Sequence, residues 1–196
     1  IGYHTYTQVT QIINDLSGLN DSPLIKTRMY RIPTYISIIE GCLTNFFRFI
    51  CLILNCMSEQ DYSSQKKLGP LCDVLKPNGL EEITNLIDIN IRNSINHVGV
   101  IIHESAHDIE FHFTKQRKVS VKNLTVFEFE DLIDKAYNTA SGLLLAICQY
   151  INNHVDCINV DRSEANYVSF NLLCRELSIP GIYCTSISEI SNNKQM

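Results

Sequence analysis

Residues 81 to 98 read Glu-Glu-Ile-Thr-Asn-Leu-Ile-Asp-Ile-Asn-Ile-Arg-Asn-Ser-Ile-Asn-His-Val. Ile83, Leu86, Ile87, Ile91, Ile95 and Val98 recur at three- and four-residue steps, the spacing that lines one face of a helix. Asn78 followed by Glu81 has the form of a capping box, so one helix is expected from there to about Val98. At about 100° per residue, Arg92, Asn93, Asn96 and His97 gather on the opposite, polar side. Asn93 and His97 are four residues apart, so the carboxamide can orient the imidazole. His97 borders the apolar arc, which predicts partial burial. Ile89 interrupts the polar side, and an apolar residue there makes most sense beneath a second chain.

Working outward, Tyr35, Ile36, Ile39, Leu43, Phe46, Phe47, Ile50 and Leu54 show the same helical period, with Pro33 suited to a first-turn position. A polar linker, 58–67, separates this helix from a short one, Pro70 to Lys76, stopped by Pro77-Asn78-Gly79. After Val98 the period falls to two. Ile109, Phe111 and Phe113 alternate with Glu110, His112 and Thr114, and Val119 and Val121 with Ser120 and Lys122, predicting a hairpin that turns near Gln116. Thr125 with Glu128 forms a second capping box, opening a long helix through Leu132, Ile133, Ala136, Leu143, Leu144, Ile147 and Ile151. The expected fold is mainly α, an antiparallel helical bundle with a short β-hairpin inserted after the Arg–His helix. Residues 1–29 read as a loosely helical lead-in, 30–154 as the bundle, and 155–196 as an extension whose role no pattern assigns; 167–173 is ambiguous between strand and helix.

The net charge of −5 argues against a generally basic nucleic-acid coat but leaves room for a local basic groove. Of eight cysteines, none forms a Cys-x2-Cys pair, and Cys42, Cys51, Cys148 and Cys157 lie in or beside apolar helical runs. Buried reduced thiols are the favoured reading, and with them a cytoplasmic location. The most apolar stretch, Tyr35 to Met57, is interrupted by Glu40, Asn45, Arg48 and Asn55, so a core helix is expected rather than a bilayer span. No signal peptide is visible.

Arginine is a permanent cation suited to phosphate oxygens, and histidine moves a proton near neutral pH. Together they suffice to cut RNA without a metal if both face one substrate. The sequence Arg92-Asn93-Ser94-Ile95-Asn96-His97, late in a bundle helix and followed by a hairpin, resembles the Arg-x4–6-His motif of the HEPN superfamily (higher eukaryotes and prokaryotes nucleotide-binding domains). The resemblance covers roughly Tyr30 to Asn153 and is strongest to HEPN domains of the abortive-infection and toxin type. Some of those carry a Tyr two residues after the His, where this chain has Gly99.

The resemblance implies a cofactor-free, metal-independent RNA endonuclease, with single-stranded or transfer RNA as substrate. Two motif helices would face each other in a homodimer, and an antitoxin or sensor is an implied partner. His97 would be the general acid/base, Arg92 would hold the scissile phosphate, and Asn93 would position either the imidazole or a phosphate oxygen. Asn96 would support them. The alternative is an HEPN-like module that binds RNA or dimerises without cutting.

Three other groups invite chemistry. Lys115, Arg117, Lys118 and Lys122 form the densest basic cluster and are candidate RNA contacts, weighed against a solvated hairpin edge protected by lysines. His103-Glu104-Ser105-Ala106-His107 matches the His-Glu-x-x-His metalloprotease motif literally, but Gly99 upstream and a strand starting near Asp108 leave little room for the helix it requires. A polar loop is expected there, with His112 facing solvent and no metal site. Glu40, a lone acid in an apolar helix, is expected to pair with Arg92 or His97 across the bundle, most simply as a structural ion pair.

Overall fold

A computed structural model describes residues 2–16, 18–57, 67–103, 107–115 and 117–153. The linker 58–66 and the stretch 154–196, including Cys157 and 167–173, lie outside the described residues. The chain is mainly helical with a small antiparallel sheet. In order come α1 (Gly2–Leu16), α2 (Pro23–Lys26), α3 (Ile32–Ile36), α4 (Thr44–Met57), α5 (Leu68–Leu75), α6 (Glu81–Asn85) and α7 (Ile89–Asn96). Strands β1 (Val100–His103), β2 (Asp108–Lys115) and β3 (Lys118–Thr125) follow, then α8 (Val126–Asn153).

Residues 23–57 wind without a break because two π-helical stretches, Thr27–Arg31 and Ser37–Leu43, join α2 to α3 and α3 to α4. Pro33 therefore sits inside a helix rather than at its start. A proline there has no N–H to offer and crowds the carbonyl four residues back, and the wider turn just before it accommodates both defects. The expected lead-in is also part of the fold: residues 1–150 form one compact unit, and Val9 of α1 is buried. Tyr6 of α1 stacks on Tyr137 of α8, and Thr10 hydrogen-bonds the same phenol at 2.9 Å. Burial pushes the Tyr137 phenol up to about 12. Gly41 lets α1 lie on the Ser37–Leu43 stretch, since a β-carbon there would overlap the Thr5 side chain. Gly41→Ala is expected to destabilise by about 1–3 kcal/mol through overpacking, read as a lowered urea midpoint.

The expected helix from Glu81 to Val98 is two helices. Asp88 turns extended (φ −86°, ψ 98°), and its Oδ1 accepts hydrogen bonds from the Asn90 and Ile91 amides at 2.9 and 3.1 Å. An aspartate offers its own carboxylate to backbone donors, so it starts helices better than it continues them. The single helical wheel therefore breaks phase at 86–88: Ile91 is buried as expected, but Val98 is 92% exposed. The Asn78 capping box does not form either. Asn78 Nδ2 instead donates back to the Val74 carbonyl at 2.8 Å, and Leu80 precedes α6. The Thr125–Glu128 box does form, with reciprocal bonds of 2.7 and 3.1 Å that open α8. The Thr125 amide and hydroxyl, both donating to the carboxylate, hold the Glu128 carboxyl below its ordinary pKa.

The hairpin pairs Lys115 with Lys118, so it turns where expected, but it is two strands of three. Val100–His103 pairs antiparallel with Asp108–Phe111, giving the order β1-β2-β3. Ile109 and Phe111 point inward, and the Phe111 and Tyr35 rings each lie within 5.5 Å of Phe129 on α8. Sheet, α8 and the 23–57 helix thus share one core. The run Pro23–Asn55 is long and apolar enough to cross a membrane by length and composition. Its Tyr35, Ile38, Ile39, Cys42, Leu43 and Phe47 are nonetheless fully buried against other elements of this unit. Cys42, Cys51 and Cys72 are free and buried, Cys148 is free and half-buried, and burial raises the Cys42 thiol to about 12.

Candidate functional site

Arg92 lies in the middle of α7, facing the π-helical stretch that carries Glu40. Its Nε and Nη2 both bond Glu40 Oε1, its Nη1 donates to Asn93 Oδ1 at 2.8 Å, and Asn96 Nδ2 reaches the same Glu40 oxygen at 3.3 Å. The expected pairing of Glu40 is therefore with Arg92. Each side chain keeps roughly a quarter to a third of its surface exposed, so the pair is partly solvated. Guanidinium carries five N–H donors in a rigid fork. Glu40 and Asn93 use three of them, which leaves one N–H on each terminal nitrogen for a further anion. Asn93 is turned to Arg92, and no side-chain bond joins it to His97.

His97 follows the last turn of α7 and is exposed, contrary to the expected partial burial, and its ring has no hydrogen-bond partner among the described residues. The backbone beyond it is tightly specified. Val98 N–H bonds the Ile95 carbonyl at 3.2 Å and Gly99 N–H the Ser94 carbonyl at 2.7 Å, a Schellman termination with valine in the left-handed position (φ 58°). A β-branched residue is strained in that conformation, and strain of this kind clusters at functional sites. Since the Val98 side chain is 92% exposed, little packing opposes its removal. Val98→Gly is expected to stabilise the fold by about 1 kcal/mol, seen as a higher midpoint in chemical denaturation. The Gly99 carbonyl accepts from both Ser94 Oγ and the His112 amide at 2.7 Å, which ties this corner to β2. Ile89 is exposed at 37%, at the other end of α7.

The basic cluster divides. Lys115, Arg117 and Lys118 stand exposed at the hairpin tip, and none has an ion-pair partner among the described residues. Lys115 and Lys118 are direct cross-strand partners, an arrangement that repels unless an anion lies between them. Lys122 is different. It pairs across from Phe111 on the inner face, and its Nζ lies 2.6 Å from Asp88 Oδ2. Of the four basic residues it is thus the one with an ionic partner among the described residues, the residue that caps α7.

On the outer face of the sheet, Glu110 bridges His103 and His112, with Oε1 3.0 Å from one Nε2 and Oε2 2.9 Å from the other. The hydrogen bond from His112, with a smaller contribution from His103, lowers the Glu110 pKa. His112 is thus half-exposed and engaged. The Glu110/His112 alternation is visible in the sequence, but the third member is not, because His103 opens the segment expected to be a polar loop. His103 ends β1, and His107 sits just before β2 with φ 52°, so neither has the helical context of a metalloprotease motif. Among the described residues, no group of three His, Cys, Asp or Glu side chains is placed to hold a metal ion. Comparison of the chain with protein-family models, with curated proteins and with solved structures returned no match.

Proposed function

We propose that the chain is an HEPN-type RNA endonuclease that works as a homodimer without a metal, in the cytoplasm, as a toxin or antiviral effector. The observation that carries the reading is the state of the two motif residues. Arg92 is bonded to Glu40 and Asn93 with two donors unused, and His97, five residues on, is exposed with no hydrogen-bond partner among the described residues. In the proposed reaction the ribose 2′-oxygen attacks phosphorus and the P–O5′ bond breaks. One His97 takes the 2′-OH proton, and the His97 of a second copy gives one to the leaving oxygen. Arg92 balances the charge on the phosphoryl oxygens in the transition state. The products are a 2′,3′-cyclic phosphate and a 5′-hydroxyl.

Two further observations support it. The unbalanced cations at the hairpin tip suit a polyanion, and exposed Ile89 on the motif helix suits a seam with a second copy. Ionic pairing of Arg92 with Glu40 favours a second reading, in which the arginine is structural and the domain binds RNA or dimerises without cutting. Incubating the protein with RNA in EDTA separates the two. Cleavage leaving cyclic phosphate ends supports the nuclease; intact RNA beside a stable dimer supports the scaffold.

A further inference from the structure

Helix α7 is only eight residues long, and both of its ends are fastened to the same hairpin. At its N-terminus, Asp88 Oδ1 caps the Asn90 and Ile91 amides while Oδ2 receives Lys122 of β3. At its C-terminus, the Gly99 carbonyl takes the His112 amide of β2. One carboxylate therefore does two jobs, one oxygen capping the start of the helix and the other binding the sheet. Arg92 stands between these anchors, its amide bonded to the Asp88 carbonyl at 3.1 Å, and His97 stands at the far one. Tyr35, from the helix that also carries Glu40, is buried close enough to Asp88 for that carboxylate to raise its pKa further, after burial itself.

We propose that the Asp88–Lys122 pair is a positioning device: Lys122 sets the tilt of α7 on the sheet, and with it the direction in which Arg92 and His97 present themselves to RNA. This rests on the nuclease reading above and assigns Lys122 a role apart from that of the tip cations. Lys115, Arg117 and Lys118 capture the phosphate backbone; Lys122 acts through Asp88. A short helix pivots on small changes at its cap, and displacement of catalytic groups by about 1 Å costs on the order of 100-fold in rate.

The test is steady-state cleavage of a defined RNA by Lys122→Met and Lys122→Arg, at a temperature where circular dichroism shows both folded. Lys122→Met should lose roughly tenfold or more in kcat, with KM and the salt dependence of RNA binding unchanged. Lys122→Arg should recover most of that loss, because arginine also reaches Asp88. Amide hydrogen exchange at Asn90 and Ile91 should quicken in Lys122→Met. A raised KM, with kcat intact and a salt slope lower by about one, would make Lys122 a phosphate contact and overturn the proposal. Unchanged kcat and KM would overturn it equally, leaving the pair merely structural. If wild-type protein does not cut RNA, the nuclease reading falls by itself. Exchange then decides the clamp: faster exchange at Asn90 and Ile91 retains it, and unchanged exchange removes it.

Discussion

His97→Ala is expected to abolish RNA cleavage and leave the fold as it is. The ring is exposed and makes no hydrogen bond among the described residues, so its removal opens no cavity and strands no polar partner. Surface changes of that kind usually alter stability by no more than about 0.5 kcal/mol. The chemical loss should be far larger, about 10²–10⁴-fold for a general acid–base group, and larger still if each copy supplies one of the two proton transfers. The measurement is cleavage of a labelled RNA in EDTA beside thermal melts of both proteins. Equal activity in the variant would remove His97 from the mechanism. A collapsed melting curve would mean that the ring holds the corner together, which its exposure argues against.

Gly99→Ala should disturb the structure more than Gly41→Ala, since the β-carbon meets backbone rather than a side chain. A β-carbon at Gly99 would overlap the carbonyl oxygen of His112 and come within 3.3 Å of Ser94 Oγ. The first obstacle is backbone in the central strand, which cannot rotate aside as a side chain would. Relief requires breaking the 2.7 Å bonds that the Gly99 carbonyl receives, and with them the start of the β1–β2 ladder. A loss of about 3 kcal/mol follows from overpacking plus lost hydrogen bonds, and Tm should fall by about 6–12 °C in a chain of this size. Cleavage should fall with it, because His97 lies two residues away on the displaced corner. A Tm within about 2 °C of wild type would mean that the corner yields more easily than its geometry implies. The same contact explains why glycine stands at position 99.

Much of the architecture was legible because periodicity reports burial directly. The apolar steps from Tyr35 to Leu54, the alternation through β2 and β3, and the reciprocal Thr125–Glu128 cap each depend on neighbours within a few residues. What failed to show did so for a physical reason in each case. A helical wheel assumes one uninterrupted helix, and Asp88 ends that assumption by bonding its own downstream amides. Strand β1 is four residues long, too short for alternation to be read against the apolar run Val100-Ile101-Ile102. The π-helical stretch around Glu40 leaves no periodic mark, since it differs from an α-helix only in hydrogen-bond register.

For the candidate site, local sequence determined which groups are present: an arginine and a histidine five positions apart, a lone glutamate in an apolar helix, and a basic turn. Tertiary structure decided what each one does. It joined Glu40 to Arg92 across 52 positions of chain, turned Asn93 toward the arginine, exposed His97, and paired Lys122 with the residue that caps α7. Chemical type is carried by each residue alone, whereas pairing depends on which side chains the packed core brings within hydrogen-bond reach. That meeting of distant segments is set by the whole fold.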